Sequence, residues 1–211
     1  MRLVAMAPCR SPFHAALRPA GGRIFAASMS RIRIIGGIWR SRLLEVAALP
    51  GLRPTPDRVR ETLFNWLGQN LDGLRCLDLF AGSGVLGFEA ASRGAAQVTM
   101  VERDARALAQ LKANAARLGA SNVTIRRADA LDFLRRGALD SPHGYDLVFL
   151  DPPYRQGWLD RVEPLVGGVL AADASIYVEA EQAVERLGPH RAVRSGRAGQ
   201  VFFQLLEPDS S

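Results

Sequence analysis

Four consecutive residues, Asp151, Pro152, Pro153 and Tyr154, combine groups that can hold a planar heterocycle bearing an exocyclic amine. The Asp151 carboxylate and a proline carbonyl can accept the two amine N–H bonds, and Tyr154 offers a flat face for stacking. Held in this way, the nitrogen lone pair can be aimed at a methyl sulfonium, and Asp151 can take the released proton. The alternative is an Asp-Pro turn with a surface tyrosine. We favour a catalytic motif over a simple turn, and we predict that Asp151, Pro152 and Tyr154 are catalytic residues.

A second pattern is the run G-S-G-V-L-G at residues 82–87, which matches the G-x-G-x-x-G fingerprint of dinucleotide-binding folds. It follows a strand-like apolar run, and Glu102 lies 18 residues beyond Gly84. An acid at such a position commonly binds the ribose hydroxyls of an adenosine cofactor. A tight strand-to-helix turn without any ligand is the alternative. The loop alone leaves both NAD and S-adenosylmethionine (SAM) open.

Acidic residues favour SAM over NAD. Asp78 immediately precedes the glycine loop, and Asp129 and Asp151 follow later strands. These carboxylates would repel the pyrophosphate of NAD, whereas they attract the sulfonium and ammonium of SAM. We predict that Glu102 binds the ribose, Asp129 the adenine amine and Asp78 the methionine ammonium. Asp129 is also a good helix N-cap, and both roles are compatible. The predicted cofactor site comprises Asp78, Phe80, Ala81, Gly82, Gly84, Glu102, Arg103, Asp129, Ala130 and Asp151.

The elements that must position these residues alternate between strands and helices. Strand-like runs occupy residues 74–79, 97–102, 123–127, 145–150 and 175–179, and helical patterns separate them. This alternation predicts an α/β fold with a mostly parallel, doubly wound sheet. Two further strands, near 190–195 and 200–206, predict an antiparallel hairpin at one edge, which gives seven strands. Ligands bind at the carboxyl ends of such strands, where the acids therefore meet.

A basic β-hairpin is predicted ahead of this sheet. Residues 31–34 alternate between arginine and isoleucine, Gly-Gly follows, and residues 39–46 form a second strand. Trp39 is expected to pack beneath the hairpin rather than to stack on a base. Thr55 is expected to cap an amphipathic helix over residues 56–70. The hairpin arginines predicted to contact a polyanion are Arg31, Arg33, Arg40 and Arg42.

Charge is distributed unevenly along the chain, whose formal net charge is +6. The first 60 residues hold eleven arginines and two acids, whereas the remainder holds 16 basic and 19 acidic side chains. This asymmetry indicates a polyanionic partner, either nucleic acid or an anionic membrane surface. A membrane-spanning segment is not expected, because no stretch of 18 residues is continuously apolar. Cys9 and Cys76 are too few for a disulfide framework.

Three regions are predicted. Residues 1–28 contain four arginines, no acid and three prolines, which is typical either of a transit peptide or of a disordered arm. We favour a disordered arm or a wrongly assigned start with Met29 as the first residue, because the prolines interrupt a helix. Residues 30–54 form the basic hairpin and its loop. Residues 55–211 form the catalytic domain.

Longer strings resemble a known family. The run R-I-I-G-G-x-W-R at 33–40, the run G-L-R-P-T-P-D-R-V-R-E-T-L-F-N-W-L at 51–67 and the D-P-P-Y run at 151–154 are similar to the bacterial RsmD family. The resemblance covers about residues 31–207. It implies a class I SAM-dependent methyltransferase with a Rossmann-like fold, acting on the N2 amine of a 16S rRNA guanine in the small subunit or its assembly intermediate. It also implies a monomeric cytoplasmic enzyme without a metal, and it places Arg58 near the methionine carboxylate of SAM.

Other functions remain open from the residues alone. A DNA adenine-N6 methyltransferase could use the same four-residue motif, but no separate region for reading DNA is visible. A protein glutamine methyltransferase would not need the basic hairpin. An rRNA-binding assembly factor that retains SAM without catalysis is the alternative outside enzymes. Comparing methyl transfer to DNA, protein and ribosomal subunits distinguishes these alternatives.

Overall fold

A computed structural model describes residues 30–49, 54–137 and 142–209. The predicted extension over residues 1–28 and loop residues 51–53 lie outside these segments. The strands are β1 Ser30–Arg33, β2 Leu43–Val46, β3 Arg75–Asp78, β4 Gln97–Glu102, β5 Val123–Arg127, β6 Tyr145–Leu150, β7 Leu170–Ala180, β8 Arg186–Leu187, β9 His190–Ala198 and β10 Val201–Pro208. The helices are α1 Asp57–Trp66, α2 Val85–Ser92, α3 Ala105–Leu118, α4 Ala130–Arg135 and α5 Trp158–Val166.

The central sheet has the strand order β5-β4-β3-β6-β7-β10-β9-β8. The first five strands in this order are parallel, and β10, β9 and β8 run antiparallel. The predicted α/β fold with a mostly parallel sheet is therefore confirmed. The structure differs in having eight strands rather than seven. The additional strand, β8, is only two residues long, too short to produce an alternating sequence pattern.

Two hydrophobic cores cover the two faces of the sheet. Alternate residues of β3 belong to different cores, with Cys76 in one and Leu77 in the other, as the period of two along a strand requires. Helices α1, α2 and α3 pack on the Cys76 face, and α4 and α5 pack on the Leu77 face. Because both faces are buried, the carboxyl edge of the parallel strands is left as the place for a ligand.

The N-terminal hairpin packs against α2. Trp39 is 7 % exposed and lies in the first core, so its predicted packing role is confirmed. The backbone N–H of Trp39 donates to the Ser92 hydroxyl at 2.8 Å, and that of Ile35 donates to the Glu89 carboxylate at 2.7 Å. The second strand begins at Leu43 rather than at Trp39, because residues 37–41 form the turn.

A fully buried arginine joins the hairpin to α1 and α2. Arg60 forms ion pairs with Glu89 and Asp57, and it donates to the backbone carbonyls of Arg33 at 3.0 Å and Thr55 at 3.2 Å. A buried guanidinium is stable only when its donors are satisfied in this way. The amphipathic helix predicted over residues 56–70 did not identify Arg60 as a buried residue.

Thr55 does not cap α1. The helix begins at Asp57, with Pro56 in the capping position and no side-chain capping bond. The Thr55 hydroxyl instead donates to the buried carboxylate of Glu179 at 2.8 Å. The predicted cap was wrong because a buried carboxylate, distant in sequence, takes the hydroxyl instead.

Replacing Gly37 with alanine is expected to loosen the hairpin and to destabilise the protein by about 1–3 kcal/mol. Gly37 has φ +72°, and an added Cβ would lie 1.8 Å from the backbone oxygen of Ser92. The matched control is Gly73→Ala, because Gly73 also has positive φ but nothing lies within 4 Å of its added Cβ. Urea unfolding compares the two variants, and an equal loss would show that φ alone matters.

Candidate active site

A cavity of about 610 Å³ lies outside the carboxyl ends of β3, β4, β5 and β6. We call it the strand-end cavity. Each of these four strands contributes a carboxylate at or just beyond its end, so the predicted convergence of acids occurs. The predicted residues that line it are Asp78, Phe80, Ala81, Gly82, Glu102, Arg103, Asp129, Ala130, Asp151, Pro152 and Tyr154.

The glycine loop is held to the end of β4 by Glu102. The Glu102 carboxylate accepts hydrogen bonds from the backbone N–H groups of Gly82 at 2.9 Å and Asp104 at 2.7 Å. Gly84 does not line the cavity; it is the N-cap of α2 with φ +76°. An added Cβ there would lie 2.3 Å from Leu111 Cδ2, so Gly84 is required for close packing of the loop rather than for contact with the cavity.

Asp78 is an acid held in an unfavourable environment. It is 3 % exposed and accepts a hydrogen bond from the Gly87 backbone N–H at 3.1 Å. Burial raises the pKa of Asp78 to about 7, and the nearby carboxylates of Glu102 and Glu179 add to the rise. A cation beside Asp78 would compensate for this burial. The cavity is therefore electrostatically suited to a positively charged ligand such as the ammonium of SAM.

Asp129 caps a helix and also lines the strand-end cavity. Its carboxylate accepts a hydrogen bond from the Leu131 backbone N–H at 3.0 Å as the N-cap of α4. It also lines the strand-end cavity, where Arg103 lies 3.9 Å from its second oxygen. The cap fixes the direction of the carboxylate without removing it from the cavity.

Asp151 stands beside a second carboxylate that the sequence analysis did not single out. Leu150 pairs with Val178 in the parallel β6–β7 register, so Asp151 and Glu179 are the next residues on adjacent strands. Burial raises the pKa of Asp151 well above its ordinary value, and repulsion from Glu179 and Asp78 adds to the rise. Burial also raises the pKa of Glu179, which accepts hydrogen bonds from the hydroxyls of Thr55 and Tyr177.

The residues that sequence reasoning missed gave signals of different strength. Glu179 ends the fifth predicted strand, so the rule that found the other four acids would also have found it. Thr55 and Trp158 line the strand-end cavity but gave no such signal. The Trp158 ring contacts Phe80 edge-on, with ring centroids 5.2 Å apart. Only tertiary packing brings these two residues to the cavity.

A second depression, of about 1320 Å³, adjoins the same motif, and we call it the side groove. Residues 152–154 line both the strand-end cavity and the side groove, so they form a wall common to both. Tyr154 is 38 % exposed, as a stacking platform requires. The far side of the groove is formed by residues 181–187 and 197–202.

Five predicted arginines lie away from the strand-end cavity. Arg58 is exposed on α1 and is not among the residues that line the cavity, because the buried face of the helix carries Val59 and Leu63 instead. The structure therefore does not bring Arg58 to the predicted cofactor site. The hairpin arginines are all exposed, and they are Arg31, Arg33, Arg40 and Arg42.

A family model described as Conserved hypothetical protein 95 matches residues 32–207. The chain belongs to this family. Ribosomal RNA small subunit methyltransferase D of Escherichia coli K12 is 50 % identical over 187 residues, which cover 85 % of this chain and 91 % of that protein. The protein of the same name from Haemophilus influenzae is 46 % identical over 182 residues, which cover 83 % and 93 % of the two chains. The RsmD resemblance is thus confirmed.

A solved structure supports the same family relationship. The Escherichia coli protein yhhF, described as a candidate methyltransferase, superposes with a TM-score of 0.74 at 44 % identity. The match covers 86 % of this chain and 100 % of that one. This chain therefore has a methyltransferase fold, in which residues 152–154 separate the strand-end cavity from the side groove.

Within residues 30–49, 54–137 and 142–209, no group of three or more His, Cys, Asp or Glu is arranged to hold a metal ion. No helix in the same segments is long and apolar enough to cross a membrane.

Proposed function

We propose that this chain transfers the methyl group of SAM to the exocyclic N2 amine of a guanine in 16S rRNA. Family membership makes the chain an rRNA methyltransferase of the small subunit, with SAM as its cofactor. The observation that carries the finer proposal is the shared wall at residues 152–154. A methyl donor in the strand-end cavity and a base in the side groove would meet at Asp151 and Tyr154.

The strand-end cavity fits SAM. Glu102 would hold the ribose, Asp129 the adenine amine and Asp78 the ammonium, each from a position that the backbone fixes. The backbone of the glycine loop leaves room for close approach of the cofactor. When bound, SAM supplies an electrophilic methyl group carried on a sulfonium.

The residues of the motif orient the acceptor amine. The Asp151 carboxylate and the Pro152 carbonyl accept its two N–H bonds, which localises the nitrogen lone pair and directs it towards the methyl group. These hydrogen bonds strengthen as the nitrogen becomes cationic, so they stabilise the transition state more than the ground state. Asp151 then accepts the proton that the methylated nitrogen releases.

A guanine must leave its stack to reach this site. Base flipping costs least where the nucleotide is unpaired, so a loop nucleotide of the rRNA is the best target. Tyr154 would stack on the flipped base. The exposed arginines of the hairpin would contact the rRNA phosphates around the target nucleotide.

Neutralising Arg31, Arg33, Arg40 and Arg42 is expected to weaken rRNA binding and to lower its dependence on salt. Each lost phosphate contact reduces the slope of log affinity against log salt by roughly 0.7–0.9. Filter binding at several salt concentrations measures the slope. Replacing the exposed Arg135 and Arg136, on the opposite layer of the sheet, is the matched control. An unchanged slope in the hairpin variant would remove the hairpin from the interface.

The proposal is tested with radiolabelled SAM and two acceptors, 30S particles and protein-free 16S rRNA, both from a strain lacking this gene. Mass spectrometry of the labelled nucleoside is expected to give N2-methylguanosine. The better acceptor shows whether ribosomal proteins help to form the target. Label in neither acceptor would reject the proposal, and DNA and protein substrates would then be compared. RNA binding without any transfer would favour a non-catalytic assembly factor.

The remaining features of the proposal come from the family resemblance. We propose that the enzyme acts in the cytoplasm as a monomer and without a metal ion. Size-exclusion chromatography with light scattering measures the state of the free protein. Activity after exhaustive chelation tests the independence from metal.

A further inference from the structure

We propose that Glu179 selects guanine by accepting a hydrogen bond from its N1–H while Asp151 holds the adjacent N2 amine. The inference rests on the proposed function and adds a specificity-determining residue to it. The sequence motif at 151–154 recognises an exocyclic amine and does not by itself distinguish guanine from adenine. A second acceptor beside Asp151 supplies that distinction.

The position of Glu179 fits this role. Glu179 is 3 % exposed and follows Val178 at the carboxyl end of β7. It lines the side groove together with Pro152 and Tyr154. It does not line the strand-end cavity. Glu179 therefore faces the acceptor side of the motif, whereas Asp151 faces the cofactor side.

The orientation of the carboxylate is fixed by two hydroxyl groups. Thr55 and Tyr177 both donate to Oε1 of Glu179, at 2.8 Å and 2.9 Å. We assign Oε2 to the base. The β6–β7 register makes Glu179 the neighbour of Asp151, so the two carboxylates stand side by side, Asp151 at the strand-end cavity and Glu179 at the side groove.

Two adjacent carboxylates match the edge of guanine and oppose the edge of adenine. The Watson–Crick edge of guanine presents two neighbouring donors, N1–H and the N2 amine. Adenine presents a lone pair at N1 beside its N6 amine, and that lone pair would face a carboxylate oxygen. Buried carboxylates that repel each other gain most from a pair of N–H donors. Rejection of adenine then comes from an unpaired, repulsive contact.

A base analogue tests the assignment directly. Once mass spectrometry has located the methylated nucleotide, ligated 16S rRNA carries either guanine or 2,6-diaminopurine at that position. Diaminopurine keeps the 2-amino group but has a lone pair at N1. Wild-type enzyme is expected to prefer guanine in kcat/KM by on the order of 100-fold, as for loss of a hydrogen bond to a charged group.

Glu179→Gln is expected to reduce this preference by at least about 10-fold, because the hydroxyls hold the amide oxygen and turn the NH2 group towards N1. Guanine would then meet a donor opposite its own donor, and diaminopurine would gain a partner. Glu61→Gln, an exposed glutamate on α1 that lines neither the strand-end cavity nor the side groove, is the matched control and keeps the wild-type preference. Calorimetric binding of SAM checks that each variant is folded.

The outcomes separate the inference from the function beneath it. An equal loss on both bases in Glu179→Gln would assign Glu179 a merely structural role and overturn the inference. If that variant does not fold, Thr55→Val, which removes one hydroxyl that orients Glu179, decides in its place by the same ratio. Absence of transfer by wild-type enzyme to guanine in rRNA would instead overturn the proposed function.

Discussion

Replacing Asp151 with alanine is expected to lower the rate of methyl transfer by about 10³-fold or more, while SAM still binds. Asp151 is the one carboxylate of the motif, and its loss leaves the amine free to rotate and its proton without a carboxylate to accept it. Cofactor binding survives in part, because Asp78, Glu102 and Asp129 line the cavity independently.

Single-turnover kinetics with labelled SAM measures the chemical step, and calorimetry measures SAM affinity. Asp173→Ala is the matched control, because Asp173 is an exposed acid that lines neither the strand-end cavity nor the side groove. A rate within a few-fold of wild type in Asp151→Ala would refute the mechanism. Loss of SAM binding equal to the loss of rate would make Asp151 a cofactor residue rather than a catalytic one.

Replacing Asp78 with asparagine is expected to stabilise the protein without SAM at pH 8 and, at the same time, to weaken SAM binding. The pKa of Asp78 is about 7 in the folded protein, against 3.8 as its ordinary value. Because the folded state retains this proton to higher pH, the contribution of Asp78 to stability decreases as pH rises from about 4 to about 7. Three pH units correspond to at most about 4 kcal/mol.

Urea unfolding at pH 5 and pH 8 measures this effect. The stability advantage of Asp78→Asn over wild type is expected to be smaller at pH 5, where Asp78 is still protonated in the folded protein, and to reach its full size at pH 8. Wild-type affinity for SAM is expected to fall as pH decreases through 7, because protonation removes the partner of the ammonium. An equal difference in unfolding free energy between the two proteins at both pH values would show that burial does not disfavour the charged form of Asp78. Asp78 thus lowers the stability of the free protein, and the binding of SAM compensates for this loss.

The free-energy cost of burying three carboxylates near the carboxyl ends of the strands explains how SAM is expected to stabilise the protein. Asp78, Asp151 and Glu179 all have raised pKa values because burial disfavours their charged forms. A cationic ligand lowers that cost, so SAM is expected to raise the midpoint of thermal unfolding more at pH 8 than at pH 5. The same carboxylates disfavour a phosphate-bearing cofactor.

The hairpin and the catalytic domain share one core. Trp39, Ile34 and Leu44 of the hairpin lie in the same cluster as residues of α1 and α2. Arg60 and Glu89 connect the two parts through hydrogen bonds to the hairpin backbone, at the carbonyl of Arg33 and the N–H of Ile35. The division at residues 54 and 55 stays a prediction about function. The hairpin arginines that we propose to bind RNA are thereby held at a fixed distance from the motif at 151–154.

Local sequence determined the elements of the sheet and the convergence of acids. Strands β4, β5 and β6 begin and end where alternation and apolar runs placed them. Strands β4 and β6 are buried on both faces, which leaves an unambiguous signal, whereas β5 is a half-exposed edge strand. The convergence of Asp78, Glu102, Asp129 and Asp151 followed from the same strand ends. The motif at 151–154 predicted methyl transfer to an amine, and together with the runs at 33–40 and 51–67 it suggested the family.

Tertiary structure alone decided which polar groups meet across the chain. Thr55 was a plausible cap by local rules, yet Glu179, 124 residues away, takes its hydroxyl. Arg60 fits no amphipathic pattern, and only the joint presence of Glu89, Asp57 and two carbonyls makes its burial stable. Arg58 was placed at the site by resemblance and lies outside it. Periodicity reports which face of an element is buried, whereas the pairing of buried polar groups depends on the packing of several elements at once.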